Sequence, residues 1–127
     1  MIVGPEEIPY LLVILDDRAT IVDIDITLEN VQYEPTELIG KNWFEIFIDT
    51  AYEETIKKVF EEVLAGSGSY TTFENDILCK DGTHKYIDFH NTVFEKDGKK
   101  FVKSIGIEHY NNAHGVLSKV VDYLENR

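Results

Sequence analysis

The chain has 127 residues and a formal net charge of -12 at pH 7, from 24 Asp and Glu against 12 Lys and Arg. This length suits one folded domain, and the negative charge repels nucleic-acid phosphates and anionic lipid, so we expect neither nucleic-acid binding nor direct membrane contact. The single cysteine, Cys79, excludes an internal disulfide, and residues 1–7 lack the pattern of a secretory signal or a membrane anchor, so we expect a cytoplasmic protein.

Two strands and a brief helix are predicted first along the chain. An apolar run at 10–15 and alternating apolar and polar residues at 20–25 predict an antiparallel strand pair. Pro35 suits the first position of a helix and Gly40 suits a left-handed C-terminal cap, which predicts a helix at 35–39.

A longer helix is predicted next. Thr50 and Glu53 have the spacing of a capping box, whose side chains bond free N–H groups of the first turn, and Gly66 marks the end of the helix. The apolar residues of this helix fall on one stripe, which we expect to face the core: Tyr52, Ile56, Val59, Phe60, Val63 and Leu64.

Beyond this helix the hydrophobic period changes to two. Strands are predicted at 70–78, 84–94 and 101–109. Asp81-Gly82 and Asp97-Gly98 separate these strands, and such dipeptides accept the backbone dihedrals of tight hairpin turns. The three strands therefore form a meander, which the first two strands complete as a five-stranded antiparallel sheet.

The C-terminal segment predicts a helix capped by Asn111 or Asn112. The apolar residues of this helix are Val116, Leu117, Val120, Val121 and Leu124. Their four-and-three spacing fits a core stripe, a coiled-coil seam or a partner face, and fewer than two heptads do not decide among the three.

Several short motifs resemble the PAS sensory domain. Glu37-Leu38-Ile39-Gly40-Lys41 matches a common helix junction of that family, 21–25 looks like its second strand, and Ile105-Gly106-Ile107 looks like its last strand. At the family's exit motif, Asp-Ile-Thr, this chain reads Tyr110-Asn111-Asn112, a departure from the usual coupling contact.

The resemblance implies an α+β PAS fold, in which short helices and one longer helix flank a five-stranded antiparallel sheet and an exit helix follows. It implies an N-terminal segment at 1–10, a PAS domain at 11–110 and a linker or signalling helix at 111–127. Such a domain is a sensory or regulatory module that binds a small molecule or partner and relays a signal to a covalently linked effector domain, of the histidine kinase or diguanylate cyclase type. We expect no enzymatic activity from the domain itself.

Two alternative functions stay open. One is a PAS-type dimerisation or interaction domain with a filled core and no ligand, which a cavity approaching ~300 Å³ would disfavour. The other is a small α+β enzyme that uses Glu108 or Asp88 with His90 for proton transfer. That enzyme needs an acid and a base within hydrogen-bond reach in one cleft, so side chains on opposed strand faces would exclude it.

Cofactor-specific residues of PAS relatives are replaced in this chain. Trp43 stands where photoactive flavin members place a cysteine, and 52–64 lacks the histidine that haem-binding members supply from the long helix. His84, His109 and His114 show no metal-ligand spacing among themselves or with Cys79. We therefore expect no flavin adduct, haem or metal, while an unknown small-molecule ligand stays possible.

Strand alternation selects candidate pocket residues. If Phe89 faces the interior, then Ile87 and Asn91 share its face, and Asp88 and His90 point the other way. Trp43 and Phe44 are expected to line or fill the interior beneath the short helices. The candidate ligand-binding residues are Trp43, Phe44, Ile77, Ile87, Phe89, Asn91, Ser104 and Glu108.

Two of these candidates carry polar groups that need partners. A buried Asn91 amide would be bonded by a ligand, or else by a neighbouring strand or water. Glu108 would have a raised pKa if it were buried without a cation or donor, or else it would reach water at the end of the sheet.

A homodimer is also predicted. We expect it to form through the apolar residues of the C-terminal helix or through the N-terminal segment. Tyr86 and Phe94, predicted on the outer face of the sheet, are expected to pack beneath the N-terminal segment, the exit helix or a second subunit, because exposed aromatic patches usually have a cover.

Overall fold

The computed structural model describes residues 4–127, so the predictions for residues 1–3, at the start of the N-terminal segment, lie outside the described residues. Within that range one five-stranded sheet has the order β2-β1-β5-β4-β3, with all neighbouring strands antiparallel. The strands are β1 Leu11–Leu15, β2 Ile21–Ile26, β3 Thr72–Leu78, β4 His84–Lys96 and β5 Lys99–Glu108. The α-helices are α1 Pro35–Leu38, α2 Trp43–Phe47, α3 Glu53–Leu64 and α4 Val116–Glu125. Short 3-10 turns occupy Pro5–Glu7, Thr50–Tyr52, His109–Asn111 and Ala113–Gly115.

The predicted sheet is confirmed, and its central hairpin is longer than predicted. Asp97 and Gly98 both have positive φ, 53° and 76°, which is the backbone of a two-residue hairpin turn. Pairing therefore runs to the last residues on either side of the turn, Lys96 opposite Lys99.

The predicted glycine cap of α1 is also confirmed. Gly40 has a φ of +84°, and its N–H donates to the carbonyl of Ile21 at 2.8 Å. The Trp43 N–H donates to the carbonyl of Ala19 at 2.9 Å. These bonds fix the start of α2 against the entrance of β2, and so position the Trp43 side chain.

Three features of the helices differ from the sequence analysis. The Thr50–Glu53 capping box is wrong, because Asp49 accepts a hydrogen bond from the Ala51 N–H at 3.0 Å and opens a 3-10 turn, so that α3 begins only at Glu53. Tyr52 is 55% exposed and is not part of the core stripe. The resemblance implied several short helices, but only the one at 35–39 was given bounds, so the residues of α2 were not assigned to a helix.

The sheet separates two apolar cores. On the inner face, residues of β1, β3 and β4 pack with α1, α2 and α3, and the buried side chains include Trp43, Phe47 and Phe89. On the outer face, Ile105 and Ile107 of β5 pack with α4. The predicted alternation along β4 is confirmed, because its odd-numbered residues from 87 to 91 belong to the inner face and its even-numbered ones to the outer face.

The apolar stripe of α4 is a core stripe. Leu117, Val120, Val121 and Leu124 are buried against Ile105, Ile107 and Tyr10 of the same chain, and Val116 is partly buried. These residues are therefore not free to form the predicted dimer surface while α4 lies on the sheet. The helix also begins later than predicted, at Val116, after Gly115 at a φ of +73°.

No helix among residues 4–127 is both long enough and apolar enough to span a membrane.

Candidate ligand cavity

A cavity of about 50 Å³ lies between the inner face of the sheet and helices α2 and α3. Aromatic rings form much of its wall. The ring centroids of Trp43 and Phe89 are 6.3 Å apart and those of Phe44 and Phe60 are 6.0 Å apart, both edge-to-face. Edge-to-face contacts stabilise aromatic pairs by about 0.5–1.5 kcal/mol beyond their burial, and here they build a mostly apolar wall.

A polar pair interrupts this apolar wall. Asn91 of β4 and Ser104 of β5 are directly opposite each other in the sheet, and both line the cavity. The Ser104 hydroxyl donates to Asn91 Oδ1 at 2.7 Å, and Asn91 Nδ2 donates to the Tyr70 carbonyl at 3.0 Å. The amide therefore has protein partners, while the hydroxyl oxygen of Ser104 keeps acceptor capacity for a donor inside the cavity.

The structure brings five of the eight candidate residues together. Trp43, Phe44, Phe89, Asn91 and Ser104 line the cavity. Ile77 and Ile87 are fully buried in the same core but do not line the cavity.

Glu108, the eighth candidate, lies away from the cavity. It is opposite Ile87 at the end of β5, on the inner face as predicted. Its Oε1 is 3.2 Å from Lys85 Nζ, and the two side chains are 17% and 15% exposed. The carboxylate thus has a cation partner from the same chain, and no ligand group is needed to balance its charge.

Several cavity residues were missed by the sequence analysis. Phe73 and Asn75 of β3 line the cavity because they pair with Phe89 and Ile87, which face inward. Register-matched alternation could have found them once the β3–β4 hairpin was accepted. Other wall residues come from β1, β5 and the predicted apolar stripe of α3: Val13, Leu15, Val102, Ile56, Val59 and Val63.

The acid–base pairs of the enzyme alternative are absent from the described residues. Glu108 is on the inner face, whereas His90 is opposite Ile105, whose side chain packs on the outer face. Asp88 shares the outer face with His90 but bonds other residues: its Oδ1 is 2.8 Å from His109 Nδ1, and its Oδ2 accepts from Asn112 Nδ2 at 2.8 Å. The pairing of Asp88 or Glu108 with His90 is therefore wrong.

The bonded pair Asp88–His109 belongs to a small cluster on the outer face. Glu74 accepts a hydrogen bond from the Tyr86 hydroxyl at 2.7 Å, and ligand-type atoms of Glu74, Asp88 and His109 lie within 4.8 Å of one another. The hydrogen bond from His109 to Asp88 raises the pKa of the imidazole. Because these contacts account for the cluster without an ion, we assign no metal site to it, and the expectation of no metal stays a prediction.

The predicted outer-face aromatics find neighbours within the chain. Tyr86, which is 45% exposed, packs edge-to-face on the His109 ring at a centroid distance of 5.1 Å. Phe94 stacks on Phe101 of the neighbouring strand at 5.3 Å. Each is thus covered in part by a local ring.

Solved structures similar to this chain include several PAS domains. The PAS domain of the Cronobacter turicensis quorum-sensing receptor RpfR, in complex with BDSF, has a TM-score of 0.64 and 23% identity, covering 79% of this chain and 93% of that chain. A PAS domain from Desulfitobacterium hafniense has a TM-score of 0.68 and 15% identity, covering 81% and 95%. A PAS domain from a two-component sensor histidine kinase has a TM-score of 0.60 and 18% identity, covering 78% and 84%. No protein-family model and no curated protein matches the chain.

Proposed function

Since the chain has the PAS fold, we propose that it is a sensory module that binds a small molecule in the cavity between the sheet and helices α2 and α3. Binding alters the sheet, and α4 relays the change to an effector domain of the histidine kinase or diguanylate cyclase type. The hydrogen-bonded polar pair Asn91–Ser104 in a mostly apolar wall is the observation that carries this proposal. Apolar pockets with a few placed polar groups are the usual form of small-molecule sites.

The similar structures support the sensory function at the level of the fold. One is the PAS domain of a quorum-sensing receptor and another comes from a sensor histidine kinase. These proteins share too little identity with this chain to transfer a ligand, so the ligand is argued from the cavity alone. We propose no catalytic role for the domain.

The volume of the cavity limits the ligand. About 50 Å³ holds a few water-sized groups, well under the ~300 Å³ of an ordinary ligand pocket. The proposed ligand is therefore a molecule of a few heavy atoms with a hydrogen-bond donor for Ser104. A dodecanoyl chain, as in one RpfR complex, is too long for the cavity at this volume.

Ligand-dependent stabilisation tests this proposal. The 127-residue chain is screened by thermal unfolding and by native mass spectrometry against short alcohols, diols and amides, with dodecanoic acid as the oversized comparison. A ligand at 100 times its Kd stabilises by about 2.7 kcal/mol, which raises the Tm measurably. We expect Ser104→Val to remove the shift and Ser118→Ala, a hydroxyl removed from exposed α4 surface, to keep it.

Two results would count against ligand sensing. One is a set of small polar probes that leaves the Tm unchanged at millimolar concentration. The other is a Tm shift of equal size in the wild type and in Ser104→Val, because it would place binding outside the cavity.

The second candidate function is an interaction domain with a filled core, and the small cavity volume favours it. Like the sensory proposal, it includes a homodimer. The stripe of α4 packs on its own sheet, so a dimer of this form would use the N-terminal segment or another surface. Sedimentation equilibrium of the chain tests the dimer, and a monomer at high concentration would contradict it.

A further inference from the structure

Asp88 is placed between the cavity and the exit helix. Its neighbours along β4 are Ile87 and Phe89, which face the inner core, and Phe89 forms part of the cavity wall. Asp88 itself points to the outer face and is only 4% exposed. Because adjacent strand residues share one backbone, a displacement of β4 at Phe89 moves Asp88 as well.

Both oxygens of the Asp88 carboxylate are bonded to the segment that leaves the sheet. Oδ1 is 2.8 Å from His109 Nδ1, and Oδ2 accepts from Asn112 Nδ2 at 2.8 Å. These partners are 21 and 24 residues away along the chain. One buried side chain of the sheet thus holds two points of the connection between β5 and α4.

Asn112 extends this contact into the helix. Its Oδ1 accepts from the Leu117 N–H at 2.7 Å, while its Nδ2 bonds Asp88. The residue before the helix, Gly115, has no side chain with which to cap it. The same amide therefore bonds the sheet with one atom and the first turn of α4 with the other.

The backbone between these contacts bends sharply. His114 and Gly115 are both left-handed, with φ of 60° and 73°, and they lie in the second 3-10 turn of the connection, directly before α4. Such a connection does not fix the direction of a helix by continuous backbone hydrogen bonding. The side-chain contacts of Asn112, together with the buried stripe that includes Leu117, set where α4 begins.

We propose that Asp88 and Asn112 are positioning residues that couple β4 to α4, so that a change at the cavity wall alters the docking of the exit helix. The proposal rests on the sensory function in taking α4 as the output element. The coupling itself is a property of the free chain and is measured without a ligand, so it fails or stands independently of ligand binding.

A swap of the two side chains tests the contact. Asn112→Asp sets a second carboxylate against Asp88, which removes the donor and adds like-charge repulsion at a buried site. The double variant Asp88→Asn with Asn112→Asp restores a donor–acceptor pair, and the carboxylate introduced on the connection can still accept from the Leu117 N–H. Asn111→Asp is the matched control, because it makes the same substitution one residue away from the bonded amide.

Amide hydrogen exchange along 116–125 is the measurement, with α3 as the internal reference. We expect Asn112→Asp to speed exchange in α4 by roughly ten-fold or more, the effect of losing one buried hydrogen bond, and α3 to stay within about two-fold. The double variant and the control should return to within about three-fold of the wild type. Equal exchange in Asn112→Asp and the wild type, or no recovery in the swap, would overturn the proposal.

A second measurement is needed to show that a change at the cavity reaches α4. A contact that only stabilised α4 would give the same hydrogen-exchange result. The amide resonance of Leu117 is recorded after Phe89→Leu, and after the milder Ser104→Ala, each in the wild type and in Asn112→Ala. We expect the inner-face change to shift the resonance in the wild type and to shift it at least three-fold less in Asn112→Ala. Equal shifts in the two backgrounds, or no shift in either, would refute coupling through Asn112.

Discussion

Gly106 provides a quantitative test of how the inner face of the sheet is packed. A Cβ atom at this position would lie 2.5 Å from Ile87 Cγ2, and 2.8 and 2.9 Å from Cε1 and Cδ1 of Phe89. Favourable carbon contacts are about 3.5–4.0 Å, so the new methyl group overlaps its neighbours by roughly 1 Å. Gly106→Ala must therefore displace one or both side chains.

The magnitude of the destabilisation follows from burial. Ile87 and Phe89 are 0% and 4% exposed, so neither can move into solvent. Overpacking a close-packed core costs about 1–3 kcal/mol, and with two neighbours in conflict we expect a loss of about 2–3 kcal/mol in the free energy of unfolding. Gly106 is not among the glycines with positive φ, so the effect is steric and carries no penalty for alanine's backbone conformation.

Urea denaturation followed by tryptophan fluorescence is the assay. Trp43 is the only tryptophan, is 6% exposed and lies in the same core, so its emission reports on this packing.

Ile87→Ala removes the nearest clashing atom, and alone it should cost about 2–5 kcal/mol because it leaves a cavity. The double variant Gly106→Ala with Ile87→Ala should lose less free energy of unfolding than the two single variants lose together, by at least about 1 kcal/mol. Strict additivity, or a Gly106→Ala variant within about 0.5 kcal/mol of the wild type, would refute the packing argument.

Three further predictions concern the outer face and the thiol. Asp88 raises the pKa of His109 above its ordinary 6.5. The wild type should therefore be more stable than His109→Gln by a difference that is fully present below pH 6.5 and falls as the pH rises through the raised pKa. A difference in stability that grows with pH would contradict this. Leu124→Ala, on the buried stripe of α4, should cost about 2–5 kcal/mol in urea denaturation, whereas Tyr123→Ala, at a position 40% exposed, should stay within about 0.5 kcal/mol. Cys79 is 2% exposed and burial raises the pKa of its thiol, so an aromatic disulfide reagent should modify it only as fast as the chain opens; immediate modification of the native chain would show an accessible thiol.

Local signals explain which parts of the fold were predictable. The three-strand meander follows from alternation and from Asp-Gly dipeptides, whose turn preference acts within about four residues. Both residues of Asp97-Gly98 are left-handed as a two-residue turn requires, whereas at the longer first turn only Gly82 is left-handed and Asp81 is not. The helix boundary at Thr50 failed for an equally local reason, since Asp49, one residue earlier, took the capping role. Helix α2 has only five residues, too few for a helical period to emerge, and the Asn42 cap was its single signal.

The candidate site was predictable where it depended on strand faces and unpredictable where it depended on distant partners. With Phe89 taken as inward-facing, as the resemblance to PAS domains suggested, alternation placed Asn91 on the same face and Asp88 on the other. However, it could not show that Glu108 meets Lys85 or that Asp88 meets His109, because each pair forms only after the β5 strand returns to β4. The stripe of α4 was ambiguous for the same reason, since its periodicity does not say which surface covers it.

The two edge strands of the sheet, β2 and β3, influence how this chain meets copies of itself. Each presents two acidic side chains, Asp23 and Asp25 on β2 and Glu74 and Asp76 on β3. A copy that added its own edge strand would set these carboxylates against one another, and like charges across strands oppose pairing. Acidic edges thus disfavour the addition of a second copy's edge strand to this sheet.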